Sequence, residues 1–202
     1  MLYFATPSSP QVRDAMRAGL LGMITTPAQG NKLISGVRWC ADNGRFGNGW
    51  PGYCRWARWL DSQPREGCAF AVAPDVPFDA ARTLRLFGPA SRLIRRMGFP
   101  VALAAQNGIE RLAVPWGDTD VIFLAGDDQW KESSHAGGLA AEALARGIPV
   151  HMARASTRRR LRLADLWGCT SADSTTMAWG ADRNLPQMLA WLREIDRQGV
   201  LF

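Results

Sequence analysis

Cysteine and histidine are scarce in this sequence, and their scarcity bears on metal sites and disulfides. The 202 residues include four cysteines and two histidines, and no two cysteines form a C-x-x-C pair. Structural zinc sites draw on such pairs, so the sequence does not predict one. A chain of this length does not depend on a disulfide framework, so we expect reduced cysteines and an intracellular protein. We expect neither a metal nor another cofactor.

Long apolar runs are also absent. No run approaches the roughly 20 residues needed to span a bilayer, and the first residues lack a basic start followed by an apolar stretch, which would mark a secretory signal. These absences predict a soluble protein without a membrane partner. We expect it in the cytoplasm, which would be the host cytoplasm if a phage encodes it.

The composition is that of a globular protein with a basic charge balance. Hydrophobic residues make up 47% of the chain and charged residues 21%, which argues against a disordered or coiled-coil chain. The length suits one domain with a large core, spanning residues 1–202. Lys and Arg number 24 against 18 Asp and Glu, and the resulting net charge of +6 indicates a polyanionic partner such as nucleic acid.

Short apolar runs alternate with segments of helical periodicity, such as residues 78–98 and 185–198. Eight of the runs have the pattern of β-strands, at residues 2–5, 21–25, 37–41, 69–73, 101–105, 121–125, 150–153 and 170–172. This alternation predicts a parallel sheet with right-handed crossovers. Eight strands fit either a compact TIM-type (β/α)8 barrel or an open doubly wound sheet, and we favour the barrel.

Polar residues follow five of the predicted strands, where a parallel barrel places its active site. They are Asp42-Asn43-Gly44, Asp75, Gln106-Asn107-Gly108, Gly126-Asp127-Asp128 and Asp173-Ser174. Each alone also suits a helix cap or a turn, but together they predict one site at the barrel mouth. The loop of residues 43–53 is rich in glycine and aromatic residues, a composition typical of segments around ligands.

Six segments, in chain order, resemble motifs of one enzyme family: Ala41–Phe46, Pro74–Asp75, Ala105–Gly108, Leu124–Gly126, Val150–Met152 and Ala172–Ser174. The corresponding family motifs are T-D-S-G-G-Y/F, a substrate-binding Asp, V-Q-G-G, a glycine turn, Y-L-M and F-D-C. The family is that of the tRNA-guanine transglycosylases, and the likeness is greater to their small phage relatives, which insert 7-deazaguanines into DNA. The resemblance spans most of the chain.

This resemblance implies a base exchange through a covalent intermediate. Asp173 is the expected nucleophile, which attacks C1′ of a guanosine nucleotide and forms a glycosyl-enzyme ester as guanine leaves. A 7-deazaguanine, similar to preQ0, then displaces the ester. Asp42 is the candidate for handling the proton of the departing or entering base. For each carboxylate the alternative is a helix cap or a surface acid.

The resemblance also assigns the recognition of guanine. Asp75, the Gln106 amide and the backbone N–H of Gly126 offer the acceptors and donors that suit the guanine edge. Phe46 and Met152 match the aromatic ring and the methionine between which the related enzymes hold the base. Met152 suits ordinary core packing equally well.

Five arginines cluster after the seventh predicted strand and into the next helix: Arg154, Arg158, Arg159, Arg160 and Arg162. Because cations are not the preferred charge at a helix N-terminus, we interpret the cluster as a phosphate-contacting patch. A solvated helix face is the alternative. His135 and His151 have no partner evident in the sequence, so we expect both to be structural.

The tRNA enzymes carry a C-terminal zinc-binding insertion that this sequence lacks. We therefore expect guanine-containing DNA as the partner, with the target nucleotide flipped out or single-stranded, and a 7-deazaguanine base as the second substrate. The predicted function is that of a DNA-guanine transglycosylase. The alternatives are a tRNA-guanine transglycosylase, a nucleoside or glycoside hydrolase that uses the same carboxylates, and a non-catalytic nucleic-acid-binding barrel. A homo-oligomer and an assembly with other modification proteins both stay open.

Overall fold

A computed structural model of the protein describes residues 1–47 and 49–198, and it contains a closed barrel of eight parallel strands. The strands are β1 Leu2–Ala5, β2 Gly22–Thr25, β3 Trp39–Ala41, β4 Cys68–Val72, β5 Val101–Ala105, β6 Val121–Leu124, β7 Val150–Met152 and β8 Ser171–Ser174. Each strand pairs with its neighbours in sequence, and β8 pairs with β1. The prediction of a TIM-type barrel is confirmed, and the open doubly wound sheet is excluded. Residues 48 and 199–202 of the predicted domain, the first within the glycine-rich loop, lie outside the described residues.

Helices surround the barrel: α1 Pro10–Arg17, α2 Tyr53–Asp61, α3 Ala80–Arg96, α4 Asp128–Lys131, α5 Ser134–Ala145, α6 Arg158–Leu166 and α7 Ala181–Gln198. Side-chain oxygens of Ser9, Asp79, Asp127 and Thr157 cap the starts of α1, α3, α4 and α6. The alternation of strands and α-helices around the barrel is interrupted twice. Residues 26–38, all of them described, connect β2 to β3 without a helix, and two short 3-10 turns connect β5 to β6.

Side chains alternate along each strand between the barrel interior and the layer of helices. The interior cluster of apolar residues consists of Phe4, Ile24, Cys40, Phe70, Val72, Ala102, Ala104, Val121, Phe123 and Ala153. The ring of His151 lies among these residues, stacked on Phe123 with 4.7 Å between ring centroids and 7° between ring planes. Aromatic rings thus fill the interior beneath the carboxyl ends of the strands.

The outward positions of the strands form a second, larger core with the helices. Leu103 of β5 and Ile122 of β6 belong to it, together with Trp56 of α2 and Phe87 of α3. Burying one such side chain stabilises the fold by roughly 1.5–3 kcal/mol. In the described part of the chain, every helix is too short or too polar to cross a membrane.

Candidate active site

A cavity of about 330 Å³ opens at the carboxyl ends of the strands. Its wall includes Asp42, which follows β3, Asp75, which follows β4, Gln106, which follows β5, and Asp173 of β8. The barrel therefore brings together four predicted site residues from four different strands. A cavity of this volume is within the usual range for small-molecule sites.

Asp173 faces the barrel interior, and its residue is 7% exposed. Its Oδ1 is 2.9 Å from Nε2 of His151 and accepts the backbone N–H of Arg154 at 3.3 Å. Among the described residues, no donor is within hydrogen-bond distance of Oδ2. One carboxylate oxygen is therefore anchored and the other is open to react, which is the arrangement a carboxylate nucleophile needs.

His151 has partners on both ring nitrogens, although the sequence revealed none. Its ring is fully buried, and Nδ1 lies 2.8 Å from Oγ of Ser171. The pairing of β7 with β8 places His151 opposite Ser171, and Asp173, two residues further on, shares the same face. The inward position of His151 beside a Ser-x-Asp strand was the signal that could have identified this contact.

Asp42 lies in a different environment from Asp173. Burial raises the pKa of Asp42 to about 7, the negative charges of Asp173 and Asp75 add to the increase, and the Gly44 N–H at 3.0 Å from Oδ1 opposes it. Gly44 has φ +76, and a Cβ there would lie 3.0 Å from the carbonyl oxygen of Gly49. Only glycine suits this turn, which presents its N–H to the carboxylate. Near neutral pH, Asp42 can both give and take a proton.

Asp75 is buried and held on both oxygens. Asn43 Nδ2 donates to Oδ1 at 2.9 Å, and Gln106 Nε2 donates to Oδ2 at 2.5 Å. Burial raises the pKa of Asp75, and these two hydrogen bonds oppose that effect. Gln106 Oε1 already accepts the N–H of Phe78 at 2.9 Å. Gln106 therefore positions Asp75, while each carboxylate oxygen keeps a lone pair that can accept a hydrogen bond from a ligand.

Gly126 does not supply a free backbone donor, contrary to our expectation. Its N–H donates to the carbonyl of Ala105 at 3.1 Å, and Gly126 is not part of the cavity wall. A Cβ at this position would overlap the Trp130 ring, so packing explains the glycine. The backbone N–H of Gly126 is therefore not available to contact a base in the cavity.

Met152 does not reach the cavity either. It is 1% exposed and belongs to the outer core, because His151 takes the inward position on β7. Phe46, by contrast, lines the cavity and is 55% exposed. The guanidinium of Arg154 lies over the Phe46 ring, with Cζ 3.9 Å from the centroid. Arg154, not Met152, is therefore the side chain that faces Phe46.

Arg154 is held at the mouth in an unusual backbone conformation. Its φ is +57, a conformation that costs a bulky residue on the order of 1–2 kcal/mol. Its Nη2 donates to the carbonyl oxygens of Ala125 at 2.7 Å and Gly126 at 2.5 Å. Such backbone strain tends to occur at functional sites.

The arginines of α6 contact carboxylates of this chain. Arg158 and Arg162 both pair with Glu194 of α7, with Arg158 Nε 2.9 Å from Oε2 and Arg162 Nη2 2.7 Å from Oε1. These pairs join α6 to α7 on the outside of the barrel. Because the pairs are exposed to solvent, they contribute little to stability.

The other two arginines of α6 point towards α4. Arg159 Nη2 lies 2.7 Å from Oε2 of Glu132, Arg160 Nε lies 2.8 Å from Oε1 of the same residue, and Arg160 Nη2 lies 2.6 Å from Oδ2 of Asp128. The four α6 arginines of the predicted five-arginine patch therefore each have an acidic partner. This arrangement favours the alternative, a solvated helix face, for α6.

Lys131 is a buried cation behind the mouth that the sequence analysis did not single out. Its Nζ donates to the carbonyl oxygen of Ala153 at 3.0 Å and lies 3.3 Å from Oδ1 of Asp128. Burial and the nearby charge of Arg154 lower the pKa of Lys131 to about 8. Lys131 thus fixes the carbonyl that precedes Arg154.

Comparison with known proteins gives no family: no protein-family model matches the chain, and no curated protein matches its sequence.

Proposed function

We propose that this protein is a DNA-guanine transglycosylase of the tRNA-guanine transglycosylase superfamily. The observation that carries the proposal is a single cavity with two carboxylates in contrasting environments. Asp173 is anchored by two donors on one oxygen, and Asp42 has a pKa raised to about 7. A carboxylate with one oxygen free of donors and a second carboxylate that can give a proton near neutral pH are suited to separate roles as nucleophile and acid–base group.

In the first half of the proposed reaction, Oδ2 of Asp173 attacks C1′ of a guanosine nucleotide. The C1′–N9 bond breaks, its electron pair goes to the guanine, and Asp42 gives its proton to the departing base. The products are a glycosyl ester on Asp173, neutral guanine and an ionised Asp42.

In the second half, the incoming 7-deazaguanine gives its N9 proton to the Asp42 carboxylate. Its N9 bonds to C1′, and the ester electron pair returns to Asp173. Both carboxylates regain their starting forms, and two inversions at C1′ retain the configuration of the sugar.

The remaining wall of the cavity suits a guanine-like base. Asp75 presents buried acceptor oxygens of fixed orientation, which fit the N1–H and 2-amino groups of guanine. The exposed Phe46 ring offers a stacking surface at the mouth, worth about 1–3 kcal/mol per base. Because the cavity lies at the end of a barrel, the nucleotide must leave its stack to reach Asp173.

Nucleic acid as the partner is supported by the net charge of +6. The choice of DNA over tRNA rests on the resemblance to the phage proteins. The α6 arginines add no support, since each pairs with a carboxylate of the chain.

The test is mass spectrometry of nucleosides after incubation of guanine-containing DNA with the protein and a 7-deazaguanine base. We expect the modified nucleoside to appear in DNA with equivalent release of guanine. Asp173→Asn should abolish the product, whereas Asp165→Asn, at an exposed position on α6, should not change it. Abasic sites without incorporation would indicate a hydrolase, and exchange in tRNA alone would indicate the tRNA enzyme. Binding without release of guanine would indicate a non-catalytic barrel.

A further inference from the structure

His151 lies outside the cavity wall yet contacts the proposed nucleophile, with Nε2 2.9 Å from Oδ1 of Asp173. We propose that His151 is a positioning residue that stabilises Asp173 as the leaving group of the second half-reaction, in a tautomer fixed by Ser171. This inference rests on the proposed function. It gives the buried ring of β7 a role that differs from packing.

The tautomer follows from the partners of the ring. An ionised carboxylate only accepts hydrogen bonds, so a neutral ring that donates to Asp173 carries its proton on Nε2. Nδ1 is then an acceptor, and Ser171 Oγ, at 2.8 Å, is the donor to it. In the described part of the chain, the Ser171 hydroxyl has no competing hydrogen-bond partner. Asp173, His151 and Ser171 therefore form one chain of hydrogen bonds within the barrel.

Packing prevents the ring from turning away from Asp173. His151 is stacked on Phe123, and the edge contact with Phe70 has 5.1 Å between centroids. Phe4 closes a third side at 6.0 Å. A donor held by three rings keeps its direction while Asp173 changes from carboxylate to ester and back, so no reorganisation is required at the moment of reaction.

The N–H of His151 matters most when the ester breaks. In the ester, Oδ1 is a carbonyl oxygen with little charge, and the bond to Nε2–H is an ordinary one. As the C1′–Oδ2 bond breaks, negative charge spreads over both oxygens, and the bond from Nε2–H becomes charge-assisted. The donor therefore stabilises the transition state of ester displacement more than the ester itself, which accelerates that step.

The test compares the two half-reactions separately. With guanine-containing DNA alone, the rate of adduct formation is measured on denaturing gels. Addition of a 7-deazaguanine base to the isolated adduct then measures its displacement. We expect His151→Phe to slow displacement by about 10- to 100-fold, because a hydrogen bond to a charged group is lost. Formation should not slow, because the same donor also stabilises the ionised Asp173 from which that step begins. His151→Gln, whose amide N–H can replace Nε2–H, should recover most of the displacement rate.

Three controls separate this role from packing. Thermal unfolding reports the stability of each variant, and His135→Gln is the same substitution on an exposed histidine of α5. If His151→Phe does not fold, His151→Gln and Ser171→Ala carry the test. Ser171→Ala removes the hydroxyl that favours one tautomer of His151, and it should slow displacement more than formation. Equal slowing of both steps, or a His151→Gln variant as slow as a folded His151→Phe, would overturn the inference.

A separate measurement does not depend on activity. The protein has two histidines, so ¹⁵N spectra of labelled histidine can be assigned with the His135→Gln variant. At mildly alkaline pH we expect the proton of His151 on Nε2 and an acceptor Nδ1, and Ser171→Ala should shift the Nδ1 signal. A proton on Nδ1 would overturn the inference even if the enzyme is active. An absent wild-type adduct together with the expected tautomer would instead overturn the proposed function.

Discussion

The amide nitrogen of Gln106 lies 2.5 Å from Oδ2 of Asp75, and this contact joins the ends of β4 and β5 at the floor of the recognition site. Both partners are buried, so the geometry of the acceptor is set before any ligand arrives. Asn43 holds the second oxygen from the end of β3. Three strand ends thus determine the orientation of one carboxylate.

Replacement of Asp75 by Asn should impair recognition of the base. The variant presents an amide nitrogen to the donors of Asn43 or Gln106 and to guanine N1–H, and such a buried mismatch costs roughly 1–3 kcal/mol. We expect adduct formation to need about 10- to 100-fold more DNA for half-saturation, at a smaller change in the saturated rate. Titration of DNA in the adduct assay measures this, and an unchanged half-saturation point would contradict the role of Asp75.

Replacement of Asp173 by Asn should remove the nucleophile and leave binding in place. The amide is nearly the same size as the carboxylate but lacks the anionic oxygen, so exchange should fall by several orders of magnitude. Denaturing gels with guanine-containing DNA should show no adduct, while anisotropy titrations should show binding close to wild type. An adduct at wild-type yield would refute the proposed mechanism.

Replacement of Asp42 by Asn should affect stability and activity in opposite ways. Burial raises the pKa of Asp42 from 3.8 to about 7, so the folded state binds the proton more tightly than the unfolded state does. This contribution to stability is full below pH 3.8 and is lost as pH rises towards 7. Asp42→Asn should therefore raise the free energy of unfolding at pH 8, relative to wild type, by on the order of 2–4 kcal/mol.

The same variant should lose base exchange, because an amide cannot transfer the proton. Denaturant unfolding at pH 5 and pH 8 measures the stability difference, and nucleoside analysis measures the exchange. An Asp42→Asn protein that is active, or that gains no stability at the higher pH, would contradict the assignment.

The α6 arginines should contribute little to DNA binding. Because Arg158 and Arg162 share Glu194, their joint replacement by Ala should change the dissociation constant by less than about twofold and leave the salt slope unchanged. Arg154→Ala should weaken binding more, since this residue faces Phe46 at the mouth. Anisotropy titrations over a range of salt concentrations test both. A smaller salt slope in the Arg158/Arg162 variant would contradict this prediction and would indicate that these arginines contact phosphates.

Lys131 should add a different pH dependence to stability. Burial lowers the pKa of Lys131 from 10.5 to about 8, so above pH 8 the unfolded state binds more protons than the folded state. Stability from this group rises with pH between 8 and 10.5. Lys131→Met should remove that rise, by on the order of 3 kcal/mol over the window. Denaturant unfolding at several pH values in this range should show the free energy of unfolding of the wild type rising relative to that of Lys131→Met. An equal pH dependence of the two proteins would contradict the prediction.

The sequence predicted the strands well because periodicity and punctuation are local signals. Val101–Ala105 and Leu2–Ala5 match the predicted strands in full, and β7 differs by one residue. The side to which a residue points is harder to predict in a short strand of apolar residues on both faces. A shift of one position exchanges His151 for Met152, and this is where the predicted and observed surroundings of the cavity differ.

Local sequence patterns could not predict contacts between side chains that lie far apart in the chain. Arg158 and Glu194 are 36 positions apart, and the crossing of α6 and α7 that joins them depends on the whole barrel. Gly126 was likewise assigned by motif, whereas its packing against Trp130 depends on how the loop after β6 folds back. The roles of Asp42, Asp75 and Asp173 stay predictions that the shared cavity supports.

The pairing of β8 with β1 places Phe4 beside Asp173, so the position of the proposed nucleophile depends on contact between the two ends of the described barrel. Such a closure joins segments that are distant in sequence, which makes it a slow step of folding. Until it occurs, the carboxylate lacks its strand partner, and the cavity has no complete wall. A nascent or partly unfolded chain therefore lacks the complete cavity on which the proposed base exchange depends.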